Sequence, residues 1–118
     1  MPSRRISNLP NKGRTALLPG WHYVYVLYSS KDGKFYIGYT QNLSRRLTEH
    51  NAGMNFSTKG RTPFRLIYAE AGLQKEDAIR RERYLKTTQG RRLLKLRLKE
   101  FLKIVSIVRN SSTGYADR

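Results

Sequence analysis

The sequence predicts a small α/β (α+β) domain in which antiparallel strands come first and helices fill the second half. Three observations carry this expectation. Tyr23, Val24, Tyr25, Val26, Leu27 and Tyr28 form an unbroken run of β-forming residues. Asp32-Gly33 separates that run from Phe35, Tyr36 and Ile37, and Asp-Gly between two such runs is a hairpin signal. Beyond Asn42, apolar residues recur at helical spacing.

Residues 1 to 20 mix Ser, Arg, Asn, Pro, Lys and Gly without periodicity and are expected to be a disordered basic leader. The domain proper is expected over residues 21 to 105, followed by a C-terminal tail over 106 to 118 that frays from about 110. Gly38 interrupts the second strand, where a missing side chain marks a bulge or the close approach of another group. Asn42 is placed to cap a helix over about 43 to 51 that Gly53 closes. Phe64 to Tyr68 reads as a third strand. A second helix is expected from near Lys75, where Glu76 and Asp77 suit the positive end of its dipole, to about Thr87. Gly90 is expected to break it from a third helix, striped by Leu94, Leu98, Phe101, Leu102 and Val105.

Composition narrows the function. The 118-residue chain holds 24 Lys and Arg against 8 Asp and Glu, a formal charge of +16, so its natural partner is a polyanion. No apolar run approaches the roughly 18 residues of a spanning helix. The segment from Met1 to Arg14 is basic like the start of a signal peptide, yet Ala16, Leu17 and Leu18 run straight into Pro19. A cytoplasmic, nucleoid-associated protein is expected. The absence of Cys removes disulfides, thiol nucleophiles and cysteine zinc sites. With His only at 22 and 50, any metal is expected to be a hard ion bound through oxygen.

Several residues carry chemistry. Between Ile79 and Lys103 stand ten Lys or Arg against Glu82 and Glu100, a net +8 in 25 residues and half the charge of the chain. Such a surface suits phosphate, although basic helix faces are also often merely solvated. Ala78, Glu82 and Leu85 fall at i, i+4 and i+7, which puts a carboxylate on an inward stripe. There it has to pair with an arginine, accept several hydrogen bonds or bind a cation, and pairing is the commoner fate. Arg46 and His50 lie one helical turn apart, so a phosphate-binding fork and a proton carrier face one spot. A single His between leucines is, equally, often a packed residue. Tyr25 and Tyr36 sit on the two strands that the hairpin pairs, where packing alone explains most tyrosine pairs. A phenol with pKa near 10 acts as a base only when its surroundings lower that value.

The order Tyr23-Val24-Tyr25, Tyr36-Ile37-Gly38, Asn42-Leu43-Ser44-Arg45-Arg46-Leu47 with His50, then Ala78-Ile79-Arg80-Arg81-Glu82 with Lys86, resembles the GIY-YIG nuclease superfamily. It looks most like the small stand-alone bacterial members related to the N-terminal nuclease domain of the excision-repair subunit UvrC. The resemblance runs from about Trp21 to Lys103 and implies a small three-stranded antiparallel sheet flanked by helices. It implies a metal-dependent DNA endonuclease acting in repair, recombination or processing. Tyr25 and Tyr36 would position and activate water, Arg46 would stabilise phosphate charge, and Glu82 would hold one Mg²⁺ or Mn²⁺. His50 would transfer or position a proton. The expected contacts to nucleic acid are Lys59, Arg61, Arg81, Lys86, Arg91 and Arg92. Tyr23 replaces the first glycine of the name-giving triplet, which is tolerable where that side chain faces away from the site. Tyr39 stands where some members carry a lysine, leaving Lys86 or a neighbouring arginine to supply the charge. The expected partner is DNA, and neither a membrane nor a small-molecule cofactor is expected. The rival readings are a non-catalytic nucleic-acid-binding module of the same fold and an RNA- or ribosome-associated basic protein.

Overall fold

Strand β1 (His22–Ser29) is the spine of the fold. The computed structural model describes residues 20 to 112, so the expected leader over 1 to 20, apart from Gly20, and the last six residues lie outside it. Strands β2 (Phe35–Thr40) and β3 (Phe64–Gly72) flank β1 in the order β2-β1-β3, both antiparallel to it. Every residue of β1 after His22 is buried, as befits a central strand covered on both faces. The β1–β2 hairpin closes at Asp32-Gly33 as the sequence predicts. Gly33 takes φ 71°, a left-handed value that favours glycine, and donates to the Ser29 carbonyl at 2.8 Å.

Alternation along β1 sends Tyr23, Tyr25 and Leu27 to one face. They form a core with Leu43 and Phe64, against which Trp21, Tyr36, Leu47 and Leu66 pack. Leu43 and Leu47 come from helix α1 (Leu43–Asn51), whose cap is Asn42: its side chain accepts the Arg45 amide at 3.0 Å. Tyr23 therefore shares the sheet face of Tyr25 and does not point to the opposite one.

Gly38 lies in a regular ladder opposite Tyr25. The register shift falls instead in the β1–β3 pairing, between Val26 and Leu27, so the sequence expectation of a bulge at Gly38 gives way to that of a close approach. A Cβ at Gly38 would collide with the Tyr25 hydroxyl and meet Cζ at 2.5 Å. Strand β3 runs four residues beyond the expected Tyr68 because its second half pairs with His22–Tyr25.

The chain divides into two compact units, the first ending at Glu82 and the second beginning at Arg83. Helix α2 (Lys75–Leu85) ends two residues before the expected Thr87. In the second unit, α3 (Thr88–Arg97) is capped by Thr87, whose hydroxyl accepts the Gly90 amide at 3.0 Å. Gly90 thus lies inside a helix and breaks nothing. Its backbone abuts the Tyr84 carbonyl and Leu85, so any side chain there would clash. The expected single third helix is two, because the chain turns at Leu98 (φ −106°, ψ 27°) before α4 (Lys99–Ser112). Helix α4 also continues past residue 105, where the sequence places the start of a tail. Among the described residues, no helix is long and apolar enough to cross a membrane.

Gly38→Ala is expected to destabilise the protein by about 2 kcal/mol, because the facing ring is buried and cannot withdraw. Urea unfolding measures this, and an unchanged midpoint would refute the close approach.

Candidate active site

Tyr25 sets the centre. Its phenol is 2% exposed, and its hydroxyl shares a hydrogen bond with His50 Nε2 at 3.0 Å. Asn42 fixes where α1 starts, and with it the phase that turns His50 inward toward β1. His50 is fully buried, with its ring centroid 4.9 Å from Tyr36 and 6.0 Å from both Tyr25 and Phe64. Its other nitrogen, Nδ1, lies 2.7 Å from Thr58 Oγ1.

Thr58 Oγ1 also faces the Asn55 carbonyl at 3.4 Å, and that carbonyl already accepts the Thr58 amide at 3.1 Å. Thr58 and Tyr25 thus hold the imidazole from its two nitrogens, one of which donates and the other accepts in the neutral ring. Thr58 was not singled out in the sequence. One threonine in a polar loop gives no periodic signal, and its role depends on a fold-back of eight residues onto His50.

Tyr36 comes from the neighbouring strand. It pairs with Leu27, two residues along from the Tyr25–Gly38 pair, so the tyrosines are diagonal neighbours with centroids 6.3 Å apart. Arg46, one turn before His50, is close enough for its guanidinium to favour the charged form of the Tyr25 hydroxyl, and it also meets Glu49 Oε1 at 3.3 Å. Glu82, on α2, is half-buried, and its negative charge is felt at the Tyr25 hydroxyl. Four of the expected side chains thus act on the hydroxyl of the fifth.

The electrostatics depart from the sequence expectation of a tyrosine with lowered pKa. Burial, followed by the neighbouring Tyr36, pushes the Tyr25 hydroxyl well above the usual phenol range. Arg46 opposes this, and Glu82 adds to it. Tyr25 is a neutral phenol near neutral pH. His50 is pushed below its ordinary 6.5, first by burial and then by Arg46, against Glu49. It is therefore neutral too.

Other expected residues fall elsewhere. Arg61 pairs with Asp32, Nε to Oδ2 at 2.6 Å, and that bond is the main reason the Asp32 pKa falls to about 2. Arg81 grips Glu70 through Nε at 2.9 Å and Nη2 at 3.0 Å. Both guanidinium groups thus tie elements of the first unit together. Lys59 is exposed in the loop after α1, while Lys86, Arg91 and Arg92 belong to the second unit. Among the described residues no three His, Asp or Glu side chains gather as a metal cage. Glu82 is the carboxylate whose charge reaches Tyr25. One carboxylate suits a hard divalent ion that keeps most of its shell as water and substrate phosphate oxygens.

The model of the GIY-YIG catalytic domain matches residues 21–96, and the chain belongs to that family. Members of the superfamily are endonucleases and generally use divalent metal ions. The chain is 42% identical over 76 residues to a UPF0213 protein of Staphylococcus haemolyticus, spanning 64% of this chain and 92% of that one. It is 47% identical over 66 residues to a UPF0213 protein of Halobacterium salinarum, spanning 55% and 84%. A solution NMR structure of the UPF0213 protein of Bacillus halodurans is 40% identical and covers 63% of this chain and 81% of its own, with a TM-score of 0.40.

The shift on His50 has a defined sign. Its folded pKa lies below the unfolded 6.5, so the unfolded state binds the proton more readily. Its stabilising contribution is complete above about pH 6.5 and declines as pH falls from there toward the folded pKa. Urea midpoints between about pH 5 and 8 should therefore drop on the acid side in wild type and drop less in His50→Gln. Parallel profiles for the two proteins would refute a neutral buried His50.

Proposed function

We propose that the chain is a metal-dependent DNA endonuclease that hydrolyses phosphodiester bonds, with Tyr25, Tyr36, Arg46, His50 and Glu82 as its catalytic set. The observation that supports this most is the Tyr25 hydroxyl. It bonds to a neutral His50, with Arg46, Tyr36 and Glu82 close enough to act on it.

A phosphodiester repels nucleophiles, so the site has to supply positive charge and remove a proton from water. Arg46 offers a guanidinium fork to the non-bridging oxygens and opposes the charge that grows as water adds to phosphorus. Tyr25 takes the water proton on its oxygen while its own hydrogen passes to His50 Nε2, so no free tyrosinate has to form. The imidazolium so formed keeps its Nδ1–H on Thr58. Tyr36, against the His50 ring, orders the attacking water. Glu82 would hold Mg²⁺ or Mn²⁺, which when bound supplies charge to neutralise the phosphate and the departing oxygen. The chain's net +16 draws in DNA, and Lys59, Lys86, Arg91 and Arg92 are the cations we assign to its backbone. This reading places the protein with DNA in the cytoplasm, in repair, recombination or processing.

With supercoiled, branched and linear DNA in Mg²⁺ or Mn²⁺, wild type is expected to cleave and EDTA to abolish cleavage. Tyr25→Phe and Glu82→Gln should each lose about 100-fold or more in rate. Equal rates for wild type and Glu82→Gln would remove the metal role. Salt-dependent binding without cleavage of any form would leave a binding module.

A further inference from the structure

The loop that carries Thr58 ends in an apolar tip. Phe56 is 90% exposed and Met54 72%, in a segment whose only charges are Lys59 and Arg61. Both ends of this loop are fixed. At its start, Gly53 (φ 75°) closes α1, with its amide on the His50 carbonyl, and the Met54 amide bonds to the Glu49 carbonyl. At its end, the Asn51 side chain holds the Phe64 backbone twice, accepting its amide at 2.7 Å and donating to its carbonyl at 3.1 Å. Ser29 Oγ donates to the Arg61 carbonyl, and Arg61 is bound to Asp32. Within the tip, Asn55 Oδ1 accepts the Ser57 amide and hydroxyl, and the Thr58 amide bonds to the Asn55 carbonyl. So ordered a loop leaves an aromatic ring in water two residues from the His50 partner, open to a flat apolar ligand.

We propose that Phe56, supported by Met54, is a stacking platform for an unpaired base beside the scissile phosphate. The site's preferred substrate is therefore nucleic acid with single-stranded or branched character. The inference rests on nucleic acid being the partner under the nuclease reading and deepens it. Three features point to a base. Both faces of a ring this exposed are open, as stacking requires. The only charges in the loop are positive, as a phosphate backbone favours. Through Thr58 the loop is bonded to the centre that would act on the phosphate. A base inside intact duplex has both faces occupied by its neighbours and meets such a ring only after unstacking, whereas an unpaired base offers a free face.

The test is binding in EDTA, followed by fluorescence anisotropy of labelled single-stranded, branched and duplex oligonucleotides, so that cleavage plays no part. Phe56→Ala should weaken binding of the single-stranded and branched forms about tenfold and of duplex less than about twofold, while Phe56→Trp should retain wild-type affinity. Phe56→Leu, apolar but without a π face, should behave like Ala. Thermal unfolding of each variant should match wild type, since the ring contributes little to the core. Equal losses on all three nucleic acids, no loss at all, or full affinity in Phe56→Leu would overturn the proposal. So would concentration-dependent self-association in sedimentation that Phe56→Ala abolishes, which would assign the tip to a contact between copies. Selective loss with no cleavage by wild type would uphold the platform and reject only the nuclease reading.

Discussion

A phenol buried in a sheet face brings a polar atom into the core, and much of the first unit is arranged around satisfying it. An unsatisfied buried hydroxyl costs about 1–3 kcal/mol, so Tyr25 requires a fixed partner. His50 supplies it at 3.0 Å, and His50 in turn is oriented by Thr58 at 2.7 Å. Each link constrains backbone elsewhere. Gly38 has to lack a side chain for the ring to lie flat, α1 has to start at Asn42 for His50 to face inward, and the following loop has to fold back for Thr58 to reach the imidazole. The hydrogen bonds that make the core tolerable are the ones through which a proton would move.

Charge is organised on a different scale. Asp32, Glu49, Glu70, Asp77 and Glu100 each pair with a Lys or Arg, and the 24 basic residues of the chain outnumber its 8 acidic ones three to one. Attraction of DNA by such a surface is long-range, weakens with salt and carries no positional information. Position has to come from the centre, where Arg46 is the guanidinium whose charge acts on Tyr25. Arg61 and Arg81 are basic in sequence yet serve as clamps, because a carboxylate lies within bonding distance of each.

Local rules carried the sequence reading where local physics decides. The hairpin at Asp32-Gly33, the Asn42 cap and the Gly53 stop depend on residues a few positions apart, and the structure matches them. The convergence on Tyr25 was expected from the family resemblance, since no periodicity brings residues 25, 46 and 82 together. What escaped depends on distant backbone. Gly90 reads as a helix breaker, but it serves a close approach to Tyr84. The turn at Leu98 has no Gly or Pro to announce it. Thr58 matters only because of His50, and the raised Tyr25 pKa only because the strand is covered on both faces. Spacing names which groups meet but does not give the dielectric in which they meet.

That last point bears on how a tyrosine with a raised pKa serves a hydrolase under the proposed reading. In the protein alone, neither Tyr25 nor His50 bears charge, since burial disfavours tyrosinate and imidazolium alike. An arriving phosphodiester is an anion, and an anion beside His50 favours the imidazolium while further disfavouring tyrosinate. Both effects push in the same direction: the proton taken from water should reside on His50, with Tyr25 passing it on and never holding charge for long. Arg46, which lowers the proton affinity of His50 in the free protein, loses much of that influence once its own charge is engaged by phosphate. The basicity of the site thus rises with occupancy. A relay weak in the empty protein leaves stray water unactivated and gains strength only when a phosphate is there to be cut.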